Sequence, residues 1–192
     1  MRYIYKSEQS GRSMVEMLGV LAIVGILSIG GIAGYSKAME KYKISALTDQ
    51  VSMLVANVRT LYSGQADFGA GANALTNAIA IGARAVPENM ISSTDAVNGL
   101  INSFNGAVIV RVDPADVRQF QVEFQGLPRA ACVTLLTADW GQGVQSLEAN
   151  NTLQGSAAVA PGTDGGLPVQ VGRSTNACNA AGNTNTVRWT YN

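Results

Sequence analysis

The chain of 192 residues has no histidine and only two cysteines. Serine and cysteine nucleophiles are usually activated by an imidazole, and the usual zinc sites also contain one. Most hydrolytic chemistry is therefore excluded, and we expect no catalytic residue, no metal ion and no cofactor. The carboxylates of Asp113 and Asp116 leave a two-carboxylate mechanism formally open. They flank Pro114, which is typical of turns, and they supply far fewer oxygens than the roughly six to eight that calcium binds.

Charge is scarce as well. Thirteen basic and thirteen acidic side chains give a net charge of zero, and only 14% of the residues are charged. Proteins that bind nucleic acid neutralise its phosphates with a basic surface. Since this chain has no excess of positive charge to supply one, we expect no nucleic acid as its primary ligand.

One long uncharged segment, Met17 to Tyr35, contrasts with these absences. As a helix it would extend roughly 28 Å, enough to cross the apolar core of a bilayer. The apolar region of a cleaved secretory signal is typically only about 7–15 residues long. After Tyr35, apolar residues recur at steps of three and four as far as Tyr62, which predicts that the helix continues. We therefore predict one helix with a membrane-spanning half at 12–35 and an amphipathic half at 36–63.

An acidic residue, Glu16, lies at the start of this apolar helix. A carboxylate at the bilayer centre costs about 2.5 kcal/mol or more. One interpretation is an interfacial glutamate that complements the helix dipole, an effect of about 0.3–1 kcal/mol. The other depends on Gly11 and Arg12, because cleavage between them would create an α-amino group four residues before Glu16. The new ammonium group would then lie beside the carboxylate, within one chain or between neighbouring chains.

Gly11, Glu16 and the apolar helix together resemble the N-terminus of a type IV prepilin, over residues 1 to about 62. The resemblance implies a leader at 1–11 that a prepilin peptidase removes after Gly11. The same enzyme would methylate the new amine of Arg12. Glu16 would pair with the terminal amine of the adjacent subunit as a filament grows. Arg12 stands where the family usually has an apolar residue, and an ion pair between Arg12 and Glu16 within one helix would compete for the carboxylate.

The resemblance also implies partners and a location. The subunit would be a homo-oligomer in a helical fibre, after contact with the peptidase and with a pilus assembly platform in the inner membrane. The precursor would span that membrane once with a cytoplasmic N-terminus, and the assembled pilus would be extracellular. Adhesion, aggregation, motility and conjugation are the functions expected of such a fibre. A minor pilin, a type II secretion pseudopilin, a binding domain with an uncleaved anchor and an anchored enzyme remain alternatives.

Five glycines interrupt the apolar helix, although glycine costs about 1 kcal/mol relative to alanine in a helix interior. Gly30 and Gly34 have the spacing that lets two membrane helices approach closely. A second interpretation is that the helix loosens at residues 29–32 during assembly. A third is that glycine is simply common in membrane helices.

Residues 64–192 are predicted to form one globular α+β head. Its cysteines, Cys132 and Cys178, lie outside the membrane helix in a domain expected to be exported, which favours a disulfide over two buried free thiols. The bridge would bound a glycine- and proline-rich region, 132–178, and stabilise the fold by about 4 kcal/mol. This bounded region and the chain length resemble the larger type IVb pilins. Asn150 begins a glycosylation sequon, a pattern that is frequent by chance.

Alternating apolar residues predict an antiparallel sheet in the head. The segments concerned are Ala107–Val112, Phe120–Phe124, Cys132–Leu136 and Val187–Tyr191, and a short helix is expected near Leu75–Ile81. A sheet with one apolar face needs a cover, which the amphipathic half of the long helix supplies through Leu47, Val51, Leu54, Val58 and Leu61. The predicted fold class is therefore α+β and pilin-like, with a long N-terminal helix packed on an antiparallel β-sheet.

Overall fold

A computed structural model describes residues 13–192, so the predicted leader 1–11 and Arg12 lie outside the described residues. The described part forms four α-helices and six β-strands, with two short 3-10 turns. The helices are α1 (Met14–Tyr62), α2 (Asn77–Gly82), α3 (Arg129–Thr137) and α4 (Val171–Ala177). The strands are β1 (Leu100–Ile101), β2 (Ala107–Val112), β3 (Phe120–Leu127), β4 (Val144–Ala149), β5 (Thr152–Ser156) and β6 (Asn185–Tyr191). The chain divides into two compact units between Tyr42 and Lys43.

The described part of the first unit is helical from Met14 onward and has no buried side chain. Its large apolar residues between Met14 and Ile32 are at least 50% exposed. Two hydroxyl groups are satisfied within the helix, because Ser28 donates to the carbonyl of Val24 and Ser36 to that of Ile32. By length and composition, α1 is the one helix in the described residues that could cross a membrane.

The second unit is a six-stranded antiparallel sheet in the order β1-β2-β3-β6-β4-β5. The predicted strands at Ala107–Val112, Phe120–Phe124 and Val187–Tyr191 are confirmed as β2, β3 and β6. β6 lies between β3 and β4, so the first three strands join the β4–β5 hairpin only through it. The sheet therefore depends on a strand that follows both of its neighbours in the sequence.

The core forms where the second half of α1 packs on the sheet. Leu47, Val51, Leu54 and Val58 are fully buried there, as predicted. Leu61 is 38% exposed and Tyr62 takes its place, so the prediction for Leu61 was wrong. The reason is geometric: after Val58 the buried stripe steps by four residues, and the ring of Tyr62 then packs 5.1 Å from that of Phe68. Phe120, Phe124, Trp189 and Tyr191 supply the aromatic part of the sheet's buried face.

The predicted strand at Cys132–Leu136 was wrong, because this segment belongs to helix α3. Val133 and Thr134 favour a strand by propensity, but propensity yields to tertiary packing. Four of the α3 side chains are buried, namely Ala131, Cys132, Leu135 and Leu136. Positions one, four and five apart share one face of a helix, not of a strand. The β4–β5 hairpin, which lies inside the glycine-rich region, was not predicted.

Candidate assembly site and head surface

Glu16 lies in the first turn of α1, at the exposed start of the apolar segment. The backbone N–H groups of Glu16 and Met17 both donate to the carbonyl of Ser13, at 2.9 and 3.2 Å. A carboxylate in a first helical turn is favoured by the positive end of the helix dipole. The structure thus places Glu16 where a helix tolerates a negative charge. The expected cleavage and methylation at Gly11 and Arg12 lie outside the described residues, so these roles stay predictions.

The glycines of the apolar segment leave open space beside α1. A Cβ added at any one of them would meet no other atom within 4 Å; they are Gly19, Gly25, Gly30, Gly31 and Gly34. Packing within the described chain therefore does not require glycine at these positions. The helix is also regular through residues 29–32, so the described conformation is the unloosened one.

The head contains the predicted disulfide between Cys132 and Cys178. Both residues are fully buried, and the bridge joins α3 to the residue that caps the C-terminus of α4. One further bond connects these two helices, because Arg129 donates to the carbonyl of Thr175 at 3.1 Å. The two cysteines are therefore bonded to each other and are not free thiols.

The sequon at Asn150 is poorly placed for a sugar. The side-chain nitrogen of Asn150 donates to the carbonyl of Ala177 at 2.9 Å and to the side chain of Asn185 at 3.2 Å. Its side-chain oxygen accepts the N–H of Thr186 at 3.0 Å. A glycan on this nitrogen would displace bonds that hold the β4–β5 turn against the end of α4 and the start of β6. Asn150 therefore has a structural role.

Asp113 and Asp116 are turn residues, as their flanking proline suggested. Asp113 accepts the N–H of Ala115 at 2.7 Å and the side-chain amide of Gln121 at 3.1 Å. The backbone N–H and then the side chain of Arg118 bond to Asp116 and hold its pKa below the ordinary value. Both carboxylates are thus occupied by local bonds. Among residues 13–192 no group of three or more acidic or cysteine side chains has the arrangement of a metal site.

A polar network, which the sequence patterns did not reveal, crosses the other face of the sheet. Arg188 of β6 lies opposite Glu123 of β3 and Glu148 of β4 in the strand register. Its guanidinium approaches both carboxylates to 2.7 Å, and the Glu123 side chain is only 8% exposed. Arg111 adds a longer contact of 3.9 Å to Glu123. The signal was a single charged residue in each of the three strands, an acid in β3 and in β4 and an arginine in β6, but only the register pairs them.

The pKa of Glu123 reflects two opposing effects. Burial raises it, because the charged form loses solvation. Hydrogen bonds from Gln125 and Arg188, together with the charges of Arg188 and Arg111, lower it and outweigh burial, so the net shift is downward. Glu123 is therefore ionised at neutral pH and forms the centre of the network.

Arg59 connects α1 to the C-terminal end of β6 and to the loop before β4. Its guanidinium lies 5.1 Å from the ring centroid of Tyr191 and donates to the carbonyl oxygens of Gln142 and Asn192, at 3.3 and 3.0 Å. A Cβ at Gly143 would collide with this guanidinium. Burial raises the pKa of the Tyr191 hydroxyl, and the nearby charge of Arg59 offsets this only in part. Arg59 thereby fixes the loop before β4.

Comparison with known proteins adds three findings. A family model described as PilS N terminal matches residues 41–192. The toxin coregulated pilin of Vibrio cholerae is 25% identical over 133 residues, which are 69% of this chain and 59% of that protein's length. The crystal structure of TcpA, a type IV pilin from the Vibrio cholerae El Tor biotype, matches with a TM-score of 0.50 and 15% identity, over 79% of this chain and 99% of that one. At that identity the structural likeness shows a shared fold.

Proposed function

The chain belongs to the PilS family of type IV pilins, and we propose that it is a structural subunit of a type IV pilus. The observation that carries the proposal is the exposed apolar half of α1. Its leucine, isoleucine and valine side chains are 52–77% exposed in the single chain. A surface of this kind in water marks contact with a membrane or with other protein. The family and its fold are structural rather than enzymatic.

A bilayer and a fibre would cover this helix in succession. The helix can lie in a membrane because, beyond its first turn, its backbone groups bond within the helix, as do the hydroxyls of Ser28 and Ser36. In a fibre the same surface would be covered by the helices of identical subunits. The open space at Gly30 and Gly34 supports close approach of a neighbouring helix. Contacts that repeat along a helix without closing would build a filament.

Glu16 gives this assembly its register in our proposal. Cleavage after Gly11 by a prepilin peptidase would leave a methylated amine on Arg12. That amine would pair with the carboxylate of Glu16 on an adjacent subunit as the filament grows. The position of Glu16 supports the idea, because a carboxylate in an apolar bundle is costly until it has a partner. If two neighbouring helices were displaced by one residue, the carboxylate of Glu16 would have no partner.

The proposed route has two locations. The precursor spans the inner membrane once with its N-terminus in the cytoplasm, and an assembly platform in that membrane extracts it into an extracellular pilus. Adhesion, aggregation, motility and conjugation are all compatible with such a fibre. An intact N-terminus in fibres would contradict processing, and mass spectrometry of sheared fibres would detect it. A trace amount in those fibres would instead indicate a minor pilin.

Glu16→Gln tests the assembly step, and Glu40→Gln is its matched control on an exposed part of the same helix. We expect the Glu16 variant to reach the membrane at a normal level but to form no or few surface fibres. The Glu40 variant should form fibres normally. Immunoblots of membrane and sheared fractions measure both. Normal fibres from Glu16→Gln would contradict the proposed role of this carboxylate.

A further inference from the structure

A cavity of about 300 Å³ opens beside β4, within the region that the disulfide bounds. Trp140, Val159 and Pro161 contribute apolar surface to its walls, and Asp139, Gln142 and Gln145 contribute polar groups. Its volume lies at the lower end of the range for small-molecule sites, and such sites combine apolar walls with a few polar groups. It has no part in the proposed fibre contacts, which involve the apolar half of α1.

The aromatic wall is held in place before any ligand arrives. The indole N–H of Trp140 donates to the carbonyl of Leu135 at 2.8 Å. Its ring lies edge-to-face with the buried ring of Trp189, at 5.3 Å between centroids and 80° between planes. Two contacts from different elements thus fix the indole. A site that is ordered in advance loses less entropy when it binds a ligand.

The remaining walls are also fixed by bonds to the body of the head. Arg59 holds the carbonyl of Gln142 at 3.3 Å on one side. On the other side the N–H of Ala157 donates to the carbonyl of Gln145 at 2.8 Å. The loop that carries Pro161 is closed by the bond from the N–H of Ser156 to the carbonyl of Gly165, also at 2.8 Å. The cavity is therefore a formed feature of the fold.

The polar groups of the cavity retain bonding capacity. One carboxylate oxygen of Asp139 accepts the N–H of Gly141 at 2.9 Å. Within residues 13–192 the other oxygen, and the side-chain amides of Gln142 and Gln145, make no hydrogen bond of acceptable geometry. A carboxylate only accepts, whereas an amide both donates and accepts. Adjacent hydroxyl groups of a ligand can both donate and accept, so they can bond to the carboxylate and to the two amides.

The charge of the lining further limits the classes of ligand that the cavity can bind. Among the described residues that line it are the carboxylate of Asp139 and no lysine or arginine, so no basic side chain of the lining would offset the charge of a phosphate, a sulfate or an acidic sugar. An organic ammonium ion usually binds within several aromatic rings, whereas Trp140 is the only aromatic residue that lines this cavity within residues 13–192. A neutral ring that carries hydroxyl groups on its edge and C–H groups on its face fits these conditions.

We propose that this cavity binds one neutral sugar ring, with its C–H face on Trp140 and its hydroxyl groups on Asp139, Gln142 and Gln145. The site would give each subunit a weak lectin-like function that a fibre repeats many times. Many weak sites on one fibre can bind a polysaccharide surface firmly when several engage together.

Saturation-transfer NMR on the unassembled full-length chain, in a detergent without a sugar headgroup, tests the proposal. The probes are methyl glucopyranoside, methyl galactopyranoside and N-acetylglucosamine, with choline, sodium sulfate and a proline-rich peptide as competitors. We expect at least one sugar to bind at millimolar concentration and none of the competitors to displace it. Displacement by any competitor, or no transfer to any sugar, would overturn the proposal.

Gln145→Ala is the deciding variant, since its side-chain amide makes no bond that the described fold needs. Loss of one hydrogen bond should weaken sugar binding about five-fold. The matched control, Gln65→Ala, removes an exposed glutamine outside the cavity and should bind as the original chain does. Trp140→Ala should abolish binding, with its fold checked by circular dichroism. Unchanged affinity in Gln145→Ala would overturn the proposal, and Glu16→Gln, which tests fibre assembly, should bind normally.

Discussion

Arg188 of β6 places two guanidinium nitrogens, Nη2 and Nε, at 2.7 and 2.8 Å from the same carboxylate oxygen of Glu123 on β3. Its third nitrogen, Nη1, lies 2.7 Å from Glu148 on β4. One side chain therefore bonds across three adjacent strands on the polar face of the sheet. The stability of this face depends on keeping that arrangement intact.

Arg188→Met should lower the free energy of unfolding by about 2 kcal/mol, because it leaves the buried carboxylate of Glu123 without its main partner. Urea denaturation of the full chain in detergent, followed by circular dichroism, measures the change. The control is Arg118→Met, which breaks a surface pair with Asp116 and should leave the midpoint unchanged. Equal losses in the two variants would show that the network adds nothing beyond a surface ion pair.

Acid should destabilise the head through Glu123. Because its pKa is lowered in the folded state, its stabilising effect is complete above the ordinary value of 4.5 and is lost as the pH falls through the lower, folded value. The urea midpoint should therefore fall as the pH drops below about 4.5. Glu123→Gln should flatten that dependence, and Glu88→Gln, at an exposed position, should not. If Glu123→Gln left the dependence of the urea midpoint on pH unchanged, another group would be responsible for the loss of stability in acid.

Removal of the disulfide should lower the free energy of unfolding by about 4 kcal/mol. In the chain-entropy model this follows because the bridge closes a loop with a sequence separation of 46 residues. The double variant Cys132→Ala/Cys178→Ala and the chemically reduced chain should lose similar amounts in urea denaturation. Thiol labelling of the reduced chain confirms that the bond is open. A midpoint that stays constant under both treatments would mean that α3 and α4 are held by packing alone.

Alanine substitutions at two nearby glycines distinguish the effect of backbone strain from that of a steric clash. Gly141 and Gly143 both have positive φ, +71° and +97°, but only at Gly143 would a Cβ collide with Arg59. Gly141→Ala should cost about 1–2 kcal/mol, from the left-handed backbone alone. Gly143→Ala should cost about 1 kcal/mol more, because it also displaces Arg59 from its two carbonyl partners. Thermal melting measures the stability of both variants. Equal losses of stability would mean that the Arg59 side chain moves aside at no cost.

Much of the fold follows from periodicity. The steps of three and four from Leu47 to Val58 predicted the buried face of α1, and strict alternation predicted β2, β3 and β6. Cys132–Leu136 was assigned wrongly because five apolar or β-branched residues in a row fit either a strand or a buried helix. The tertiary packing decides between them, because Ala131, Cys132, Leu135 and Leu136 are buried together on one helical face.

The candidate sites were predictable to different degrees. Glu16 stands out as the lone acid at the start of an apolar helix, and its position needs no fold to be noticed. The network of Arg188 could not be predicted, because its two acidic partners are 65 and 40 residues away in the sequence. The register of β6 alone brings them together. The cavity beside Trp140 likewise arises from two loops whose approach depends on the sheet.

The position of β6 in the middle of the sheet also determines the order in which the strands of the head can pair. As the chain emerges from the ribosome or crosses a membrane, β1, β2 and β3 are complete long before Asn185–Tyr191 arrives, and so is the β4–β5 hairpin. Until then β3 and β4 each expose an unpaired edge, which is a hazard for aggregation among crowded subunits. Insertion of the last strand closes both edges at once. The sheet of this head is therefore completed only when β6 arrives, so its folding cannot finish while the first five strands alone are available.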